Sequence, residues 1–240
     1  MDAPSSGAID ELIARLPQFC GLRAELYAAL ALLERCARAH NKILCCGNGG
    51  SAADADHIAA ELMKSFAFPR PVERTFADAL QAQFPGSASL LAALEAPIAA
   101  IALPSQVALL TAYSNDVDYQ YAFAQQVYGL GRPGDVLLAL STSGNSPNIL
   151  HACRVARVRN LTVIGLTGQS GGRLPELCDV ALCVPATKTH LIQELHLPVY
   201  HALCLALEER LFSEHAQQAE RAVSQRFDLA QHDSAEQRPC

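Results

Sequence analysis

The chain of 240 residues contains no tryptophan, and only 18% of its residues are charged. None of its nine cysteines forms a Cys-x-x-Cys pair, and residues 1–7 contain neither a basic stretch nor an apolar run. The missing cysteine pairs argue against a thiolate metal site, and the opening residues do not resemble a signal peptide. We therefore expect a cytoplasmic protein with reduced, buried thiols.

Positive charge and long apolar segments are also scarce. The net charge is −6 and the isoelectric point is near 5.7, which argues against nucleic acid or an anionic membrane as a partner. No uncharged apolar run reaches the roughly 20 residues that a transmembrane helix needs. Half of the residues are hydrophobic, enough for one substantial core. We expect a single domain over 1–240, with its core at about 20–212 and a polar tail at 214–240.

Short apolar runs alternate with longer amphipathic ones along most of the chain. After an N-terminal helical segment, the pattern predicts strands at 43–46, 98–103, 135–140, 161–166 and 180–184. It predicts helices at 51–66, 106–113, 122–130, 146–159 and 189–212. This alternation predicts an α/β fold with a doubly wound, mainly parallel sheet flanked by helices. In residues 67–97, Pro69, Pro71 and Pro85 bracket two short helical patterns, which predict a helical insertion.

Three turns rich in glycine and hydroxyl side chains directly follow predicted strands, at 47–51, 141–146 and 167–172. In a parallel sheet such turns lie at the carboxyl edge, where ligands bind. Hydroxyls, backbone N–H groups and a helix N-terminus together hold an anion without a formal positive charge. The middle turn has four hydroxyls in six residues, whereas capping a helix needs only one. Phosphate binding is therefore the better interpretation.

The first turn excludes two common phosphate ligands. It lacks the Gly-Lys-Ser/Thr ending of a nucleotide-binding P-loop and the Gly-x-Gly-x-x-Gly spacing of a dinucleotide site. The sequence therefore indicates neither ATP nor NAD.

Four polar side chains stand on the faces of otherwise apolar predicted helices. His57 and Glu61 are four residues apart, and Gln193 and His201 are eight apart, so each pair shares one helix face. Imidazole, carboxylate and amide oxygen together can bind zinc. A single histidine on such a face more often has a packing role, but four polar groups favour a site.

Several motifs, in order, resemble the SIS-domain phosphoheptose isomerases. They are 42–54 (Lys-Ile-Leu-Cys-Cys-Gly-Asn-Gly-Gly-Ser-Ala-Ala-Asp), the Ser-Asn-Asp at 114–116, and 132–137, 141–145 and 192–194. The resemblance covers roughly 20–212 and implies an SIS-type fold and a homotetramer. It implies a metal-dependent ketose/aldose phosphate isomerase that converts sedoheptulose 7-phosphate to D-glycero-D-manno-heptose 7-phosphate through an enediol.

The resemblance also assigns roles to individual residues. It implies one Zn²⁺ per subunit, bound by His57, Glu61, Gln193 and His201. It implies substrate contacts at Asn48, Gly49, Gly50, Ser51, Asn115, Asp116, Ser141, Thr142, Ser143, Ser146 and Gln193. We hypothesise that Glu61 is the catalytic base and His201 the partner acid, because the isomerisation needs both.

This chain departs from the family pattern at Gln106, His190, Leu191 and the pair Lys64-Ser65, as well as in the insertion. These departures leave open an isomerase for another phosphosugar. A non-catalytic SIS adaptor similar to the protein that associates with the bacterial replication initiator is a second alternative, although that protein lacks the groups that match Glu61 and His201. A sugar-phosphate-sensing regulator is a third, but no helix-turn-helix or basic segment supports it.

Overall fold

A computed structural model describes the backbone of residues 7–236 and the side chains of residues 7–213. Five strands form one sheet in the order β2-β1-β3-β4-β5, and every neighbouring pair is parallel. The strands are β1 Ile43–Cys46, β2 Ala100–Ala102, β3 Val136–Leu140, β4 Thr162–Thr167 and β5 Val180–Cys183. All five predicted strands are confirmed.

Nine α-helices accompany the sheet in the described part of the chain. They are α1 Gly7–Arg15, α2 Arg23–Arg38, α3 Gly50–Met63, α4 Arg74–Gln83, α5 Ala88–Ala93, α6 Val107–Asp116, α7 Ala122–Leu130, α8 Pro147–Val158 and α9 Thr189–Glu236. Helix α9 continues through Pro198 and beyond the predicted end at 212. Of the predicted polar tail, 237–240 and all side chains from 214 onward lie outside the described residues. No helix in the described ranges has the length and apolarity to span a bilayer.

Alternate residues of each central strand point to two separate cores. In β1, Ile43 and Cys45 join the core formed with α1, α2, α3 and α9, whereas Leu44 and Cys46 join the core formed with α7 and α8. The register continues this alternation across the sheet, where Leu44 pairs with Leu137 of β3. The doubly wound architecture expected from the sequence is therefore confirmed.

The cysteines of the described chain are free, and most of them are part of these cores. Burial raises the pKa of Cys36 to about 11 and that of Cys204 to about 12. Thiols with such values stay protonated near neutral pH and behave as small apolar groups. Cys20 differs, since it is exposed.

The insertion at 67–97 leaves the fold and returns to it at nearly the same point. Its helices α4 and α5 have no buried residue. The backbone N–H of Ala96 donates to the carbonyl of Arg70 (2.9 Å), so the two ends meet. Near the return, the Glu95 carboxylate accepts from the backbone N–H (2.7 Å) and the hydroxyl (2.6 Å) of Ser65. The insertion is thus a surface excursion from the end of α3.

One buried ion pair holds the base of this excursion. Arg70 and Glu208 are both fully buried, and Arg70 Nε donates to Glu208 Oε1 (2.6 Å). The same carboxylate accepts three backbone N–H groups from 66–68 at 2.7–3.2 Å. The guanidinium also donates to the carbonyls of Leu62 (2.7 Å) and Glu61 (3.2 Å) at the end of α3. The pair therefore joins α3, α9 and the start of the insertion.

Glu208→Gln removes the buried negative charge and keeps the shape of the side chain. Arg70 then stays charged in the core without a counter-ion, so we expect a loss of about 3–5 kcal/mol in the free energy of unfolding. Chemical denaturation at fixed protein concentration measures this loss. As a control, Asp10→Asn breaks the exposed pair with Arg23, for which we expect less than about 1 kcal/mol. Equal losses in the two variants would contradict the assigned role of the buried pair.

Candidate active site

The first turn, between β1 and α3, has a backbone shape that requires glycine. Gly49 has a φ of +56°, which side chains with a Cβ rarely adopt. A Cβ on Gly47 would overlap the carbonyl of Ser51, and a Cβ on Gly50 would overlap the side-chain amide of Gln193. Helix α3 begins at Gly50, so this turn presents a helix N-terminus at the carboxyl edge of the sheet.

The second turn, between β3 and α8, brings its hydroxyls together. Ser141 Oγ donates to Ser146 Oγ (3.1 Å), and Ser143 Oγ accepts from the backbone N–H of Asn145 (3.2 Å). Gly144 has a φ of +63°, and a Cβ there would overlap the carbonyl of Gly171. The helix that follows starts at Pro147. Anion binding at this turn stays a prediction.

The third turn supports the second. A Cβ on Gly172 would overlap the carbonyl of Ser143, and the N–H of Gly168 donates to the carbonyl of Thr142 (3.1 Å). Residues 167–172 therefore lie in close contact with 141–146 and set its shape.

A polar side-chain network joins the first turn to helix α8. Asn48 Nδ2 donates to Asn148 Oδ1 (2.9 Å), and Asn148 Nδ2 donates to Asn48 Oδ1 (2.7 Å). Tyr119 Oη donates to the same Asn48 Oδ1 (2.7 Å). Neither Asn148 nor Tyr119 was predicted from the sequence. The one available signal was the position of Asn148, two residues after the hydroxyl-rich turn.

Asn115 and Asp116 lie exposed at the end of α6, and Asn115 Nδ2 donates to Asp116 Oδ1 (2.9 Å). No residue of α6 is buried. After α6, the chain contacts the first turn through the 3-10 helix Tyr119–Tyr121, where the hydroxyl of Tyr119 binds Asn48. Within the described residues, the two predicted contacts thus stand on a separate, exposed helix.

Three of the four predicted metal ligands lie close together on the facing sides of α3 and α9. His57 Nε2 is 3.3 Å from Glu61 Oε1, and the rings of His57 and His201 are in edge contact with centroids 5.0 Å apart. The buried Nε2 of His201 has no hydrogen-bond partner among the described residues. Burial, and then the proximity of His57, lower the pKa of His201. This imidazole is therefore neutral near pH 7.

A second chain of polar groups orients His57. Tyr200 Oη lies 3.0 Å from His57 Nδ1 and 3.3 Å from Asp54 Oδ1. A hydroxyl has only one hydrogen, and a carboxylate can only accept. The Tyr200 hydroxyl therefore donates to Asp54, and His57 Nδ1–H donates to Tyr200. The ring nitrogen on the side of Glu61 is then Nε2. Tyr200 and Asp54 were not predicted, although Tyr200 directly precedes His201.

Gln193, the fourth predicted ligand, stands beside Gly50. It lies eight residues before His201 on α9, about 12 Å along the helix axis. Lys64 Nζ donates to the second oxygen of Glu61 (2.6 Å). Across the described residues, no three His, Cys, Asp or Glu side chains form a group that holds a metal ion in this arrangement. The donor types nevertheless fit zinc, and His201 offers a buried ring nitrogen without a partner.

His196, on the same helix, is fully buried. Burial lowers its pKa to about 4, so the ring is neutral and packs in the interior.

Comparisons with known proteins place this geometry in a family. The SIS domain family matches residues 81–168. The phosphoheptose isomerase of Azoarcus sp. is 43% identical over 186 residues, which cover 76% of this chain and 82% of the relative. That of Aromatoleum aromaticum is 48% identical over 168 residues, covering 69% and 72%. The solved phosphoheptose isomerase of Neisseria gonorrhoeae has a TM-score of 0.66 at 36% identity, covering 83% of this chain and 94% of its own.

The parallel sheet and its glycine-rich turns, together with the domain match, define an SIS-domain protein. More particularly, the chain belongs to the phosphoheptose isomerase family and is an isomerase. The expected family and enzyme class are thereby confirmed.

Gly144→Ala tests the shape of the second turn. The added Cβ forces a strained φ and overlaps the carbonyl of Gly171, so we expect a loss of about 1–3 kcal/mol in unfolding free energy. Gly129→Ala, in α7, is the control, because a Cβ there meets nothing within 4 Å. We expect that variant to be as stable as the parent or more so. Denaturation curves measure both, and a neutral Gly144→Ala would contradict the close contact between the turns.

Proposed function

We propose that this isomerase converts sedoheptulose 7-phosphate to D-glycero-D-manno-heptose 7-phosphate. The observation that carries the proposal is the buried Glu61 carboxylate beside the imidazoles of His57 and His201. Glu61 and His57 lie on the helix that begins at the first glycine turn, and His201 faces them from α9. The names of the relatives, phosphoheptose isomerases at 43–48% identity, support this substrate class.

In the proposed reaction, Glu61 removes a proton from C1 of the ketose while His201, through its ring N–H, supplies one to the carbonyl oxygen at C2. The product is an enediol. A proton then returns to C2 from Glu61, and the hydroxyl at C1 loses its proton to His201, which gives the aldehyde. The 141–146 turn and the start of α3 hold the phosphate through hydroxyls and backbone N–H groups.

We also propose that His57, Glu61, Gln193 and His201 hold one zinc ion per subunit. Two observations support this. One ring nitrogen of His201 has no hydrogen-bond partner among the described residues, and the contact with Tyr200 fixes the His57 ring with Nε2 toward Glu61. When bound, zinc would polarise the oxygens of the substrate. The Glu61 carboxylate would have to exchange its contact with Lys64 for the ion.

A homotetramer is a further part of the proposal. Helix α6 and the segment after it expose several apolar side chains, among them Val107, Leu109 and Val117. An apolar helix face with no buried residue is typical of a subunit contact.

An isomerase of another phosphosugar is the second candidate. It is favoured by the rim of the site, where Lys64 pairs with Glu61 and the insertion residue Glu95 binds Ser65. These contacts place the charged side chains of Lys64 and Glu95 near the proposed reacting groups.

Turnover of the purified protein tests the proposed substrate and the proposed metal. Purified protein should convert sedoheptulose 7-phosphate to the aldose, should lose activity with a chelator, and should regain it with zinc. Aldose formation is followed directly, and bound metal is measured on the same sample. Metal-loaded protein without turnover would contradict this substrate and favour another phosphosugar. Full turnover in metal-free protein would contradict the zinc proposal.

Glu61→Gln tests the base. The amide keeps the shape of the side chain but cannot take a proton, so we expect kcat to fall about 10²–10⁴-fold. The control is Glu11→Gln, on the exposed face of α1, which should leave kcat unchanged. Metal content is measured for each variant. A Glu61→Gln enzyme with full turnover would rule out the assignment.

A further inference from the structure

The network around Asn48 determines which hydrogen-bonding group that residue offers to a ligand. Its partner Asn148 is only 3% exposed and lies in the first turn of α8. The two amides face each other and exchange a pair of hydrogen bonds. The orientation of one amide therefore dictates the orientation of the other.

A backbone group settles the orientation of Asn148. The N–H of Ile149 donates to Asn148 Oδ1 (3.0 Å). A backbone N–H is always a donor, so the atom that faces it is the oxygen of the amide. The remaining atom, Nδ2, is then a donor and requires the oxygen of Asn48 opposite it. Asn48 Nδ2 in turn donates back to Asn148 Oδ1.

Tyr119 completes the arrangement. Its hydroxyl donates to Asn48 Oδ1, which then accepts two hydrogen bonds, from Asn148 and from Tyr119. An amide oxygen has two lone pairs, so this one has no capacity left. The Tyr119 ring is in edge contact with the buried ring of Phe123, with centroids 6.2 Å apart. The ring that carries the hydroxyl is thus held in place from the helix that follows, α7.

One hydrogen of Asn48 Nδ2 is donated to Asn148. The other hydrogen has no acceptor among the residues that the structure describes. This second hydrogen lies in the turn that directly precedes the N-terminus of α3. Asn48 therefore presents an N–H donor to the ligand and no acceptor.

We propose that Asn148 and Tyr119 are positioning residues that hold the Asn48 amide in this donor-only orientation. The proposal rests on the proposed function and deepens it. It identifies the substrate atom that Asn48 contacts as an oxygen that accepts a hydrogen bond. The positioning residues act through Asn48 and do not themselves react.

Tyr119→Phe removes the hydroxyl and keeps the ring. Asn48 is then free to turn, so we expect KM for sedoheptulose 7-phosphate to rise about fivefold, with kcat within about twofold. The control is Tyr121→Phe on the same 3-10 helix, whose ring lies against His151; its KM should stay unchanged. A lower kcat at unchanged KM would indicate only a loss of folded enzyme and would overturn the proposal.

A double-mutant cycle tests whether Tyr119 acts through Asn48. In an Asn48→Ala background, Tyr119→Phe should change KM by less than about 1.5-fold, because the group that it positions is gone. The same fivefold rise in both backgrounds would overturn the proposal. Asn148→Ala is measured in the same way, and if it does not fold, the Tyr119 cycle decides alone.

The melting temperatures of the same variants separate this proposal from the proposed function. Tyr119→Phe should lower the melting temperature in the parent but not in the Asn48→Ala background. If the parent protein does not turn over sedoheptulose 7-phosphate, the proposed function fails. The thermal cycle then still shows whether the network exists, and additive melting shifts would overturn it.

Discussion

The ion pair between Arg70 and Glu208 is the constraint on which the reacting end of the molecule depends. Neither charge reaches solvent, so each stays in the core only while the other is present. Through this pair the last carbonyls of α3, the backbone of 66–68 and helix α9 meet at one point. Glu61 is among the residues whose carbonyl binds the guanidinium. The position of the proposed base is therefore set by a contact at its backbone.

Helix α3 connects the two chemical tasks of the site. Its first residue, Gly50, lies beside Gln193, and two residues before its end Glu61 lies near His201 on the same partner helix. The two helices run side by side in the same direction. The turn proposed to bind the phosphate is thus at one end of the pair, and the proposed acid and base are near the other. Such a separation suits a sugar whose phosphate is far from the carbon that reacts.

The sequence predicted the sheet well because each core strand has a local signal. A short run of apolar residues, as at 43–46 and 136–140, is followed directly by turn residues. It also predicted the neighbourhood of His57 and Glu61, since helix geometry alone relates them. It did not predict the pairing of Asn48 with Asn148, which are 100 residues apart. Nor did it predict the burial of Arg70, which lies within the predicted helical insertion. Single contacts between distant segments leave no periodic pattern to detect.

The meeting of Ala96 with Arg70 has a consequence for how this chain varies in length. Because one backbone hydrogen bond closes the excursion, residues 71–95 begin and end at the same place in the fold. The strands and both cores lie outside this closed segment. A segment of this kind is exchangeable: it is free to be shortened, lengthened or replaced by a tight turn while the path of the remaining chain is kept. The insertion is, in this respect, a replaceable surface segment beside the candidate active site.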